Sequence, residues 1–300
     1  MVEFPISGVE TYWWLPTLVA FCISAITSTG GVTGAFILLP FTVSILGYSS
    51  PGVSPTNLLY NVVAIPSGVW RFHQERRMLW SLAWATVIAT LPGQTIGAII
   101  RLKYLPDARS FKLFAGFVLL YLGGKLIQDL LKRSAANAGS GNSIGHRQIT
   151  RQHLSIHQMS YDYDGGSYAI TTWPVVLISF VVGIVGGIYG IGGGALLSPY
   201  FVAIYQLPVH SIAGAMLLGT FLSSVVGVIV YMVVSPFITP EAAIIMPDWL
   251  LGLSFGVGGA MGVYVGARMQ RFVSPRVIKL VLVVALIWIA AQYVGGYFWR

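Results

Sequence analysis

The stretch Gly186-Gly187-Ile188-Tyr189-Gly190-Ile191-Gly192-Gly193-Gly194-Ala195-Leu196-Leu197-Ser198-Pro199 decides how this chain is read. It lies inside an apolar run, 173–206, that is too long for one simple bilayer crossing of about 20 residues. Clustered glycines break helices, and at membrane depth a broken backbone survives only against protein or a wet cavity. An earlier run, 12–47, is interrupted in the same way by Thr29-Gly30-Gly31-Val32-Thr33-Gly34. The two interruptions align. At a constant offset of 159 and without gaps, residues 29–72 overlay residues 188–231 with 10 identities in 44. Gly31, Gly34, Leu38, Pro40, Gly68 and Val69 meet Gly190, Gly193, Leu197, Pro199, Gly227 and Val228. A weaker overlay pairs Arg101 with Arg268 and Lys112 with Lys279.

The rest of the chain has membrane character throughout. Of its 300 residues, 56% are apolar and 9% charged, with a mean hydropathy of +0.78. A soluble domain carries about a quarter charged residues. Further apolar runs cover 55–71, 78–100, 111–131, 211–235, 247–267 and 277–298. The net charge of +8 sits in short clusters between these runs, and residues 1–70 and 152–267 hold no Lys or Arg. That pattern encodes membrane topology and argues against a nucleic-acid partner. Cys22 is the only cysteine, so neither an intramolecular disulfide nor a Cys-based metal site is expected. The start, Met1-Val2-Glu3, has no basic region before the first apolar run, so a cleaved secretory signal is not expected.

The expected fold is an all-α polytopic integral membrane protein, multi-pass in the cell membrane. It comprises two homologous halves of about four membrane segments each, 1–132 and 173–300, whose first helices are broken by glycine and discontinuous or re-entrant. A polar linker, 133–172, joins them and reads as a flexible tether. Topology is less simple. The clusters Arg71…Arg76-Arg77 and Arg101…Lys112 flank the single run 78–100, although a positive-inside bias would put both on one side. Either Leu91-Pro92-Gly93 turns that run into a hairpin, or one cluster is an exception.

Corresponding glycine breaks in two repeats place half-helix ends near the bilayer midplane, where free N–H groups and positive dipole ends attract anions. Close packing is the alternative use of such glycines, and it is the reading preferred for Gly258, Gly262 and Gly266. Asn57 and Asn61 share a helix face, and their amides can donate to an oxyanion or hold helices together. Thr220 overlays Asn61, with Ser223 and Ser224 following. Thr29, Thr33 and Ser198 border the breaks and serve either a substrate or the freed backbone.

Arg71, Arg101 and Arg268 each follow an apolar run, which fits snorkelling to the interface; attraction of anions to a vestibule is the other reading. Lys125 and Asp129 read as an i,i+4 pair near a helix end. No carboxylate occupies the centre of an apolar run, and His210 reads as a loop or helix-start residue. His153 and His157 have a metal-compatible spacing if helical, but a mobile linker seldom orders a metal, and no metal or cofactor is expected.

Gly190-Ile191-Gly192-Gly193-Gly194-Ala195-Leu196-Leu197-Ser198-Pro199 also resembles a family motif, a glycine-rich turn followed by a small or apolar run and Pro. Gly30-Gly31-Val32-Thr33-Gly34-Ala35-Phe36-Ile37-Leu38-Leu39-Pro40 is its partner, and Pro55-Thr56-Asn57-Leu58-Leu59-Tyr60-Asn61 belongs to the same resemblance. The family is the TauE/SafE-type sulfite exporters, also described as sulfonate-uptake-type anion permeases. The resemblance covers both halves; the first glycine cluster is leaner than the second and the linker longer than expected. It implies movement of a small sulfur-containing anion such as sulfite or an organosulfonate.

A secondary transporter is therefore the leading reading, and no ATP-binding P-loop is present. An anion channel is the alternative. An intramembrane enzyme is disfavoured, because no His-Glu-x-x-His occurs and no His/Asp pair lies within the apolar runs. The expected substrate-binding set is Gly30, Gly31, Thr33, Asn57, Asn61, Gly190, Gly192, Gly193, Gly194, Ser198 and Thr220. Its partners are a small anion and the lipid bilayer, with the oligomeric state open.

Overall fold

The computed structural model describes residues 1–29, 33–136, 149–163, 165–238, 245–269 and 275–298. The first long apolar run forms two helices, α1 (Leu15–Thr29) and α2 (Ala35–Ser44). Then come α3 (Val53–Gln74), α4 (Trp80–Tyr104) and α5 (Ala108–Ala136). The second long run likewise forms α6 (Thr172–Tyr189) and α7 (Gly193–Ile204). It is followed by α8 (Val209–Ile238), α9 (Trp249–Met269) and α10 (Pro275–Phe298).

Among the described residues, five of these helices are long and apolar enough to cross a bilayer: α4, α5, α6, α8 and α9. Their outward faces repeat at helical spacing: Trp84 and Ile88 on α4, Trp173, Leu177 and Val181 on α6, Ile229, Val233 and Phe237 on α8. Exposed side chains of this kind are stable against lipid and not against water. The molecule is a polytopic helical membrane protein.

Helix α3 differs. It buries Ser54, Thr56, Asn57 and Asn61 and packs on α2, α8 and α9, so its polar face points into the bundle. The other principal pairs are α1 with α9, α4 with α6, α4 with α8 and α5 with α10. Glycines allow the closest of these approaches. In the α4–α6 pair, a Cβ on Gly93 or Gly97 would strike the carbonyl of Phe180 or Ile184. In the α1–α9 pair, Gly258, Gly262 and Gly266 lie against the carbonyls of Thr17, Phe21 and Ala25, the packing use that their spacing suggests.

Two expectations need correction. Helix α4 runs unbroken through Leu91-Pro92-Gly93, so there is no hairpin. Proline costs one helical hydrogen bond, but Gly93 packs directly on α6 and supports the helix at that point. The basic clusters before and after α4 therefore lie at opposite ends of a helix about 37 Å long at 1.5 Å per residue.

The second correction concerns the stretch read as a tether. Its latter part forms an antiparallel sheet, β3 (Ile149–Leu154), β4 (Gln158–Tyr163) and β5 (Gly166–Thr171), in the order β3-β4-β5. The alternating Met159, Tyr161 and Tyr163 turn inward and join Leu79, Leu82, Phe201 and Ile212 in one apolar cluster. The Gln152 side chain accepts from Trp80 N–H at 2.8 Å and donates to the Met78 carbonyl at 2.9 Å. This part of the chain is thereby fixed over the start of α4. His153 lies on a strand and His157 in the turn that follows, so their spacing does not set them on one helix face. The Asp129 and His210 side chains lie outside the described residues.

Candidate functional site

Helix α6 stops because Gly190 adopts a left-handed conformation, φ 80°, and its N–H returns to the Gly186 carbonyl at 2.8 Å. Two residues on, Gly192 has φ 77° and ψ 153°, a region essentially closed to residues with a Cβ. Space is also short. A Cβ on Gly190 would lie 2.7 Å from Ser54 Cα, and one on Gly192 2.9 Å from Thr220 Cγ2. Helix α7 then restarts at Gly193 and runs back along α6. Gly186 sits against Gly192 and Gly193, while Val175 shares a cluster with Leu197 and Phe201.

Reversing a helix frees backbone groups that the bundle must satisfy. Asn57 Nδ2 donates to the Gly190 carbonyl at 2.8 Å and to the Ala35 carbonyl, at the start of α2, at 3.1 Å. One turn along, Asn61 Nδ2 donates to the Ile191 carbonyl at 3.0 Å and to Ser224 Oγ at 3.2 Å. Gly193 N–H donates to Ser223 Oγ at 3.1 Å. Tyr189 Oη donates to the Phe36 carbonyl at 3.2 Å. Both hydrogens of each asparagine amide are thus committed to protein, and the Oδ1 atoms of both residues are buried without a partner.

The structure brings Gly190, Gly192, Gly193, Gly194, Asn57, Asn61 and Thr220 together. Thr220 Oγ1 donates to the Met216 carbonyl at 2.9 Å, and a Cβ on Gly194 would strike both. Thr33 is buried with an unpartnered Oγ1. Ser198 is buried farther along α7, and Gly30 and Gly31 lie outside the described residues.

Sequence reasoning missed the polar groups of α4. Arg101 does not snorkel: it is 0% exposed. None of its guanidinium nitrogens has a hydrogen-bond partner, and its Cζ lies 3.9 Å from the centre of the Phe111 ring. Both polar atoms of the Gln94 side chain are likewise buried and unpartnered. Tyr231 of α8 donates to the Gly187 carbonyl at 3.1 Å, next to the α6–α7 turn. The signal available in the sequence was the seven-residue separation of Gln94 and Arg101, which sets them on one helix face. Beyond α4, the Asp107 carboxylate accepts from Ser110 N–H at 2.7 Å as the N-cap of α5. That hydrogen bond holds it below the usual carboxylate range.

The family model described as "Sulfite exporter TauE/SafE" matches residues 17–293. The chain belongs to the TauE/SafE family. It is also 27% identical over 209 residues to "Probable membrane transporter protein YunE" of Bacillus subtilis (strain 168), covering 69% of this chain and 67% of that one. No solved structure matches. Both matches are to membrane transporters, so this TauE/SafE protein is a membrane transporter of that type.

Proposed function

We propose that this chain is a secondary carrier of the cell membrane that moves a small sulfur-containing oxyanion or organosulfonate, sulfite first among them. The observation that carries this reading is the setting of the α7 N-terminus. It opens inside the bundle among Thr220, Ser223, Ser224 and Asn61. A helix N-terminus has a partial positive charge of about half a unit, and hydroxyl groups that now cap it can yield to an anion's oxygens.

We read the chain as two homologous halves, and the packing supports this. Exchanging α1–α5 for α6–α10 turns the α1–α9 pair into α6–α4 and the α3–α9 pair into α8–α4. The pairs α3–α8 and α5–α10 map onto themselves, and all six contacts occur. In this reading α1–α2 and α6–α7 are two re-entrant hairpins, and Asn57 ties one to the other through the Ala35 and Gly190 carbonyls. The substrate site lies beside their tips.

The test is flux through purified protein in liposomes, using labelled sulfite, a short alkylsulfonate, sulfate and short carboxylates. Saturable movement of at least one sulfur anion, with exchange against unlabelled anion, is expected. No flux for the whole panel overturns the reading. Flux that does not saturate replaces the carrier with a channel.

A further inference from the structure

Among the described residues, the bundle buries the Arg101 guanidinium without giving it an ion-pair partner. Arg71 and Arg77 show how this protein treats other arginines: each meets Glu75 at 2.9 Å, close to the surface. Arg101 is fully buried on the α4 face that packs against α8, and its Nε, Nη1 and Nη2 have no partner. The carboxylate that acts on it electrostatically is that of Asp107, but no ion pair includes Arg101 among those formed by the described residues. An unpaired charge inside a membrane bundle is costly, and such groups mark substrate or ion pathways.

We infer that Arg101, together with the Gln94 amide, is the charge-bearing part of the substrate site, a buried receptor for a small oxyanion. The assignment rests on the carrier reading above and names the group that holds its substrate. The Phe111 ring covers a face of the guanidinium and leaves the N–H edge, which matches two oxygens of one anion. Gln94 lies two turns earlier on the same face, about 10 Å along the helix, and its Nε2 supplies further donors. Opposite it stands Gly227, where any side chain would displace the amide. Opposite Arg101 stands Tyr231, which bonds to the Gly187 carbonyl at the foot of the α6–α7 turn. The receptor therefore adjoins the hairpin tip.

Its approach is marked as well. A cavity of about 640 Å3 at the α5–α10 end is lined by Arg109, Lys112, Tyr293 and Tyr297. The same first turns of α5 carry Phe111, which is buried between Arg101 and Tyr189.

The experiment measures sulfite binding and thermal stability of purified full-length protein, wild type beside Arg101→Met. Sulfite raises the Tm of the wild type in proportion to occupancy. Arg101→Met is expected to fold with a Tm no lower than wild type without sulfite, and to bind sulfite about thirtyfold more weakly or worse. Sulfite binding by Arg101→Met at wild-type affinity overturns the assignment. If that variant yields no folded protein, Arg101→Lys decides: it keeps the charge but loses the planar fork. Its affinity should fall about tenfold, and an unchanged affinity overturns the assignment. Wild-type flux with unaltered variant affinity defeats this inference alone, whereas absence of wild-type flux defeats the carrier reading beneath it.

Discussion

Two polar regions meet inside this bundle, and they are treated in opposite ways. At the α6–α7 turn the broken backbone is served by side chains: the Gly190 and Ile191 carbonyls receive asparagine N–H groups, and Gly193 N–H finds Ser223. On α4, a few ångströms of packing away, Gln94 and Arg101 carry five unpartnered side-chain atoms between them. Burial of an unsatisfied polar group is destabilising, whereas a satisfied one is close to neutral. The asparagine amides at the turn are therefore architecture, and the unpartnered donors of the α4 face are the ones left to bind.

That contrast can be broken most forcefully at the turn. Gly192→Val combines a forbidden backbone conformation with a clash against Thr220 and Ser224. It should cost about 4 kcal/mol, read as loss of monodisperse protein in detergent; a normal yield and Tm would show that the turn is not tightly held. Asn57→Leu comes next. It strands the Ala35 and Gly190 carbonyls and should cost about 3 kcal/mol, measured as a lowered Tm. The sequence left this amide open to an oxyanion or to the bundle; the hydrogen bonds commit it to the bundle. A full-strength Tm with lost sulfite binding would return Asn57 to the substrate.

Gln94→Leu tests the other side of the comparison, with the opposite sign. Removing an unpartnered amide should leave Tm unchanged or raise it, by about 1 kcal/mol, while weakening sulfite binding several-fold. A marked fall in Tm would mean that Gln94 has a structural partner. The smallest effect belongs outside the membrane. Asp107→Ala removes the α5 cap and should cost about 1 kcal/mol. Because the Asp107 carboxyl is held below its ordinary value, its stabilisation is present above the usual carboxylate range and fades as pH falls through the folded value. Wild type and variant should therefore converge in Tm at acid pH; a constant gap would dismiss the cap.

Much of the turn was legible because its physics is local. Adjacent glycines at 190 and 192–194 announce a reversal, and the i,i+4 spacing of Asn57 and Asn61 announces a shared face. Which acceptor an asparagine serves is a tertiary fact, so substrate and backbone could not be told apart. Arg101 was misread for a related reason. Its apolar run ends at residue 100, but α4 continues to Tyr104 and α5 folds its Phe111 over the guanidinium. An apparent interface residue thus became an interior one. The sheet over α4 was hidden by composition: Met159, Tyr161 and Tyr163 alternate within a stretch whose overall polarity suggested a tether.

The most direct test of the account is to locate the bound anion, using selenite as an anomalous scatterer in place of sulfite in crystals of the wild-type protein. The account requires a peak within hydrogen-bonding reach of the Arg101 guanidinium. A peak confined to the Arg109 and Lys112 cavity, or one held only by the α7 N-terminus with Arg101 still unpartnered, would contradict it.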